Sequence, residues 1–429
     1  MKISLDLSSL GARTLTFIAA LGLFSVGIGF GLARFVTEVA ANPRLPVSLR
    51  VIEATAAYFP NSAPVQARLA ARLVEGEMEA AQSHEALAAR ALYHASRAVK
   101  LAPANYEYRV LLSAAAELQG NGEAAEAALR EALELAPNNA NLRWQMANLF
   151  LRLGKLEESL GEFRAVAAAD PSRLLNTLGL MWQASAGNVE TLNRMVGSEP
   201  GARLTLAHFL VGQAQFEAAA GVFRSAGRES RLRAPESGRV LDALLEAGQW
   251  EWAGKLWRET LAHESEWALL WNGGFELPIR KGLAQLDWNL KPNDYARFGI
   301  TNGQARTGQH ALKLAYLGVE ATRLDGEAQQ LILVRPGASY RLECFVRAED
   351  LIATDGPQVA ILRPDTRAVI AASPVVSPGS HDWRPLAVYF IAPADTPAVL
   401  VTIKQTPRYS FVEPSQGLVW FDDFSLRTQ

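Results

Sequence analysis

Cysteine is almost missing from this 429-residue chain: Cys344 is the only one. That excludes a disulfide within the chain and a thiolate metal cluster. Cys344 sits in the alternating run Tyr340-Arg-Leu-Glu-Cys-Phe-Val346. There it reads as a small core hydrophobe rather than a reactive thiol. A dominant charge is missing too. The formal net charge is −2, which gives no bulk electrostatic pull toward nucleic acid. Histidine is sparse: His84, His94, His208, His263, His310 and His381 are scattered, with no HExxH or other metal-ligand spacing. GxSxG, a phosphate-cradling GKT or GKS, and a dinucleotide glycine fingerprint are all absent. Asp422 and Asp423 are adjacent on a predicted strand, so their side chains are expected on opposite faces, unable to act as a facing acid/base pair. The chain is expected not to be an enzyme.

What the sequence does have is a ladder. Pro103, Pro137 and Pro171 stand 34 residues apart, and Gly120 and Gly154 recur at the same spacing. A fixed period means stacked repeats rather than one catalytic cleft. From about residue 51 to 267 alanine and leucine recur at three- and four-residue spacing, a helical pattern. Ala125 and Ser159 stand where two helices cross closely. Leu129 and Phe163 fill the groove, and each proline ends a second helix. These residues resemble the tetratricopeptide repeat, in which each unit is two antiparallel helices. The resemblance extends upstream through Ala91, Ala95, Ala98 and Pro103. Downstream it runs through Ala207, Leu210, Ala219 and Phe223, then Leu244, Gly248, Ala253 and Trp257. Five to six units result. The unit between Pro171 and Pro200 is short, with its turn at Gly187-Asn188 and Asn193 at the close-packing position; a bend or a site peculiar to this chain is expected there. Such a solenoid implies a concave face that takes an extended peptide or helix of a protein partner. Arg109, Asn141, Arg143, Asn148, Asn176 and Gln183 are the candidate contacts, or else ordinary solvated side chains. Trp250, Trp252 and Trp257 are expected to pack inside the last unit or against the next domain.

The flanks differ. Residues 1–13 form a tail. Thr14 to Ala33 carries no charge, and twenty helical residues rise about 30 Å, the thickness of a hydrocarbon core. A transmembrane helix or signal anchor is expected over 14–36, followed by a linker over 37–50. A cleaved signal peptide ending at Val39-Ala40-Ala41 is the rival. The charges Lys2 and Arg13 against Arg34, Arg44 and Arg50 barely fix orientation. The expectation is a single-pass protein of a bacterial inner membrane, with the bulk outside the cytoplasm. Gly27 and Gly31 form a GxxxG that would serve a homodimer.

Beyond residue 268 the pattern turns to short alternating runs split by Gly and Pro. These are Ala311–Tyr316, Gln330–Val334, Tyr340–Val346, Val359–Leu362, Leu386–Ile391, Val399–Ile403 and Val419–Leu426, an antiparallel β-sandwich. Four landmarks stand in order: Asn272-Gly-Gly-Phe-Glu276, Thr307-Gly-Gln-His-Ala-Leu-Lys313, Pro336-Gly-Ala-Ser-Tyr340 and Trp420-Phe-Asp-Asp-Phe-Ser-Leu426. They resemble the galactose-binding-like jelly roll of carbohydrate-binding modules. The fold class expected is therefore multidomain, α then β: a transmembrane helix, an α-solenoid of tetratricopeptide-like pairs over 51–267, and a jelly-roll β-sandwich over 268–429. The resemblance implies a structural calcium where the two ends of the sandwich meet, held by Asn272, Glu276, the backbone of Gly308, Asp422 and Asp423. The alternative is that Glu276 and Asp423 cap loops or pair with Arg306 or Lys313. It also implies sugar contacts through Trp288, Tyr295, Trp383 and Tyr409, with Arg408 and Gln405 as polar partners. The function expected is a membrane-anchored, non-catalytic envelope protein. Its array would recruit a protein partner and its sandwich would bind a glycan or envelope component, in exopolysaccharide or surface-polysaccharide assembly. A pure scaffold is the alternative, and a glycoside-active enzyme using Glu276 and Asp423 the third.

Overall fold

The structure is a computed structural model and describes residues 10–76, 83–261, 269–280, 286–406 and 414–429. The chain divides into two compact units between Gly187 and Asn188. This is the turn of the irregular unit; the change from helices to strands falls between Leu261 and Asn289.

In the first unit the helices are α1 (Leu10–Ala41), α2 (Leu49–Tyr58), α3 (Ala63–Val74), α4 (His84–Leu101), α5 (Tyr106–Leu118), α6 (Gly122–Leu135), α7 (Ala140–Arg152), α8 (Leu156–Ala169) and α9 (Leu174–Ala184). They pack as antiparallel pairs α3/α4, α5/α6 and α7/α8. Asparagine starts several of them. The Asn105 side chain accepts from Glu107 N at 2.9 Å, and Asn139, one period later, accepts from Asn141 N at 2.9 Å. These caps satisfy N–H groups that the first turn leaves without partners. The first helix of each pair ends on a residue with positive φ. Gly120 (φ +79°) and Gly154 (φ +72°) do this, each followed by a bond back to the fifth residue before: Asn121 N to Ala116 O at 2.9 Å, Lys155 N to Phe150 O at 2.8 Å. The periodic small and large residues do what their spacing predicts. Ala125 and Ser159 are wholly buried, the Ser159 hydroxyl donates to Ala147 O at 2.9 Å, and Phe163 lies edge-on to Trp144 at 5.3 Å.

The N-terminal expectation needs correction. Among the described residues no helix is long and apolar enough to cross a membrane. The helix at 14–36 does not stop there but runs to Ala41. Its last turns belong to the fold: Ala40 is buried among Leu49, Ile52, Val65 and Leu69, and Arg34 pairs with Glu38 one turn on. Upstream of that, Phe17, Phe24 and Phe30 are each about two-thirds or more exposed (68%, 66% and 75%). Gly27 and Gly31 are exposed, and nothing else among the described residues packs against them.

The second unit holds α10 (Val189–Val196), α11 (Pro200–Gly212), α12 (Phe216–Ser225), α13 (Arg228–Arg233), α14 (Pro235–Glu246) and α15 (Trp250–Leu261). Pairs α11/α12 and α14/α15 continue the pattern. Ala214 (φ +56°) stands where α5/α6, α7/α8 and α14/α15 carry Gly120, Gly154 and Gly248, and Gln215 N still reaches Leu210 O at 2.9 Å. Then come β1 (Asn289–Leu290), β2 (Ala296–Asn302), β3 (His310–Tyr316), β4 (Leu324–Leu333), β5 (Ser339–Ile352), β6 (Gln358–Leu362), β7 (Val369–Ala372), β8 (Gly379–Ile391), β9 (Ala398–Gln405) and β10 (Gln416–Thr428). Two five-stranded sheets result, ordered β1-β4-β9-β6-β7 and β2-β3-β10-β5-β8, with antiparallel pairing throughout. Val399, Val401 and Ile403 of one sheet meet Leu342, Cys344 and Phe421 of the other in the core. Cys344 is the buried hydrophobe its run predicts, and burial pushes its thiol pKa far up.

The first sheet is buried on both faces at its centre: Ala328 to Ile332 and Ala398 to Ile403 are all buried. Helix α15 sits against β4. A Cβ on Gly254 would stand 2.4 Å from Leu333 Cδ1, and Trp257 packs edge-on to Trp271 at 6.1 Å. Gln330, reaching out of the sheet, accepts from Trp271 N at 3.1 Å and donates to Trp271 O at 2.9 Å. Trp257 therefore joins the last helix to the sandwich, as its spacing suggests.

Candidate functional site

The start and end of the sandwich do meet. Gly273 O accepts from Phe424 N at 2.9 Å, and a Cβ on Gly273 would lie 1.9 Å from Phe424 O, so only glycine fits. Glu276 closes the turn opposite. Its Oε1 accepts from Gln309 N and His310 N, both at 2.8 Å, and its Oε2 faces His310 Nδ1 at 3.1 Å. Gly308 (φ +67°) makes this approach possible, since a Cβ there would be 2.3 Å from Glu276 Oε1. Partial burial opposes the Glu276 charge, but the His310 and Gln309 donors outweigh it and its pKa is lowered. Asn272 holds Leu277 through both its amide atoms, at 2.8 and 3.0 Å.

Asp422 and Asp423 depart from the expected alternation. A bulge between Asp422 and Ser425, with Asp423 at φ +52°, turns both carboxylates toward residues 306–307. Asp422 Oδ2 accepts from Arg306 N at 2.8 Å and Thr307 N at 3.3 Å, while its Oδ1 accepts from Asp423 N at 2.7 Å. Asp423 takes the Arg306 guanidinium at 2.7 Å and the Thr307 hydroxyl at 2.5 Å. Asp422 has no exposed surface. Burial raises its pKa to about 6, the neighbouring Asp423 charge adds to this, and the three backbone N–H groups pull the other way.

All five residues named for calcium therefore come together. Their donor set does not fit a cation as it stands. The carboxylate oxygens of Glu276, Asp422 and Asp423 already accept protein hydrogen bonds, and the Arg306 guanidinium occupies the place beside Asp423. Among the described residues no group of three His, Cys, Asp or Glu is arranged to hold a metal ion. The pairing of Asp423 with Arg306 is the alternative that the sequence left open.

The sugar candidates do not converge. Trp288 is 2% exposed, packed on Phe275 and Phe424 at 5.1 Å each, with Nε1 donating to Asn272 O at 3.1 Å. It is core and offers no face to a ring. Tyr295 is half-buried just before β2, and Trp383 is half-buried on β8, at opposite edges of one sheet. Gln405 is buried, bonded to the Tyr316 hydroxyl at 2.6 Å and to Ser415 Oγ at 3.0 Å. Arg408 and Tyr409 lie outside the described residues.

The array candidates separate into two kinds. Arg109 pairs with Glu131 and donates to Pro103 O at 3.0 Å; Arg143, one period on, pairs with Glu162 at 2.9 Å and donates to Pro137 O at 3.1 Å. These are clamps within each pair, a role visible in the 34-residue spacing of the arginines themselves. Asn148 donates to Trp144 O at 2.7 Å, and Asn141 accepts from Arg173 at 2.8 Å. Asn176 and Gln183, seven residues apart on α9, are exposed. Spacing alone did not reveal the ion pairs between successive pairs, Arg152 with Glu117 and Lys155 with Glu126.

A family model described as tetratricopeptide repeat matches residues 116–178, which run from the end of α5 through α8 into α9. The chain is similar to the solved structure described as "Crystal structure of MamA protein", at 14% identity over 43% of this chain and 95% of that one, TM-score 0.33. It is similar to a thermophilic tetratricopeptide-repeat protein of Thermus thermophilus, at 18% identity over 46% and 89%, TM-score 0.25. It is similar to a structure described as "CBM4 structure and function", at 18% identity over 37% of this chain and 99% of that one, TM-score 0.29. No curated protein matches the chain. The chain thus carries helix pairs that match a tetratricopeptide-repeat model over 116–178, followed by a two-sheet antiparallel β-sandwich.

Proposed function

We propose that this is a non-catalytic binding protein of the bacterial envelope. Its helix pairs hold a protein partner, and its sandwich binds a glycan or another envelope component, in the assembly of an exopolysaccharide or surface polysaccharide. The observation that carries the partner role is the run of repeat pairs, of which residues 116–178 match a tetratricopeptide-repeat model. Asn176 and Gln183 are the exposed polar residues we assign to the partner. The exposed apolar side chains of α1, Phe17, Phe24 and Phe30 among them, support attachment to an inner membrane with the bulk outside the cytoplasm. A row of such side chains is unfavourable in water and marks a surface that something covers. A homodimer through Gly27 and Gly31 would bury part of the same helix.

The test uses the full chain as bait in detergent-solubilised membranes. Recovery of one protein by the native chain, and its loss with Asn176→Arg plus Gln183→Arg, supports the reading. Equal recovery by the variant removes these residues from the partner surface. Recovery of nothing above a bare-resin control removes the partner role. A pure scaffold is the second reading, favoured by the burial of Trp288 and by the double-sided burial of the first sheet. Retention of the full chain on no polysaccharide gel would establish it.

A further inference from the structure

The outer face of the sheet β2-β3-β10-β5-β8 carries a feature that the junction does not use. Val419 and Phe421 of β10 face the core, so Trp420 between them faces outward. Its cross-strand neighbours are Lys313 on β3 and Arg347 on β5. Lys313 Nζ lies 5.6 Å and Arg347 Cζ 5.3 Å from the indole centroid. Their stems cover the ring, which has no exposed surface. Trp420 Nε1 is buried with no hydrogen-bond partner among the described residues. Two strands over, Thr301 Oγ1 is likewise buried without one among the described residues. Gly299, opposite Lys313, leaves open space where a side chain would stand.

The cations are little used. Lys313 has no ion-pair partner among the described residues, and the nearest carboxylate to Arg347 is Glu349 at 3.8 Å, beyond hydrogen-bond range. A buried N–H without an acceptor is an unfavourable state that a bound acceptor relieves. Two cations beside it select an acceptor with negative charge. Once the two flexible stems move aside, the indole face that they cover can take the C–H groups of a ligand. A sugar ring bearing a carboxylate satisfies all three demands; a free inorganic anion meets only the charge.

We propose that the row Gly299–Lys313–Trp420–Arg347 on this sheet face is a binding strip for an acidic polysaccharide, with uronate carboxylates between Lys313 and Arg347. This rests on the glycan-binding reading above and names its ligand class. The carboxylate displaces the ends of the two flexible stems and accepts from Trp420 Nε1. Lys313 and Arg347 supply charge, and Gly299 leaves room for the chain to continue toward β2.

The experiment is calorimetric titration of the full chain in detergent with polygalacturonate oligomers, a neutral gluco-oligosaccharide and sodium sulfate. Binding of the uronate alone is expected, weakening as salt rises because exposed charge pairs are screened. Lys313→Met with Arg347→Met should cut affinity at least tenfold with the melting temperature unchanged. Trp420→Phe, which keeps a ring and removes the N–H, should cut it several-fold, and Lys313→Arg should retain it. Undiminished uronate binding by the double variant overturns the strip. Sulfate bound as tightly as the uronate overturns the glycan assignment. Binding of the neutral oligosaccharide alone overturns the acidic ligand and leaves glycan binding standing. Binding of none overturns both.

Discussion

Gly273→Ala tests whether the closure of the sandwich at its two ends holds it together. The added Cβ would stand 1.9 Å from Phe424 O, where ordinary contact begins near 3.4 Å. The backbones must part by about 1.5 Å, and both partners are main chain, so neither can swing aside. Parting breaks the 2.9 Å bond from Phe424 N to Gly273 O. Leaving that buried donor unmet costs about 1–3 kcal/mol, and overpacking adds about 1–3 kcal/mol. The expected loss is about 2–6 kcal/mol. Two other glycines serve as controls. Gly299 has an ordinary φ and open space around it, so Gly299→Ala should be neutral or stabilise by up to about 1 kcal/mol. Gly337 has open space but φ +74°, so Gly337→Ala should cost about 1–2 kcal/mol from the backbone alone. Urea unfolding of the full chain, followed by tryptophan emission, should rank the midpoints Gly299→Ala, then Gly337→Ala, then Gly273→Ala. A Gly273→Ala midpoint at or above that of Gly299→Ala would refute the reasoning.

Ala214→Gly should raise stability by about 0.5–1 kcal/mol, because Ala214 holds a left-handed φ that its glycine counterparts adopt freely; a lower melting temperature would count against it. Asp422 should make the second unit pH-sensitive. Its folded pKa of about 6 lies above the unfolded value, so its ionised form is disfavoured in the fold. Its contribution is therefore most favourable below about pH 4 and falls as pH rises to about 6, by on the order of 2 kcal/mol. Asp422→Asn should flatten that slope in melts run across this range, and a slope unchanged in the variant would exclude Asp422 as its source. Arg143→Gln should cost about 1 kcal/mol, through the lost Glu162 pair and Pro137 carbonyl bond, and leave partner recovery intact; lost recovery at unchanged stability would return Arg143 to the partner surface. Adding calcium to about millimolar, or chelating it, should leave the melting temperature where it was. A rise of several degrees with calcium would mean that Arg306 yields its place to the ion.

Much of the architecture was legible because it is periodic. The 34-residue ladder placed α5 to α8, and alternation placed seven strands of the sandwich. The three strands it missed have weak local signals: Asn289–Leu290 is two residues long, Ala296–Asn302 contains a glycine and an asparagine, and Val369–Ala372 is only four residues long. The junction was legible as a meeting of chain ends. Its chemistry was not, because one bulge residue, Asp423 at positive φ, redirects two carboxylates. Alternation cannot foresee a bulge. Nor can residue type tell a buried tryptophan from an outward-facing one: Trp288 lies in the core, and Trp420 faces outward beneath two cations.

The seating of α15 on β4 makes the helix-to-sandwich joint a poor place to cut. A fragment beginning at 268 would uncover Leu331 and Leu333 and leave Trp271 without Trp257 across from it. Such a piece would be adhesive to itself and to resins, and a glycan-binding result obtained with it would be hard to interpret. The natural severance point is Asn188, where the second compact unit begins. For this protein the compact unit is not the β-sandwich alone but the sandwich together with the helices that shield it.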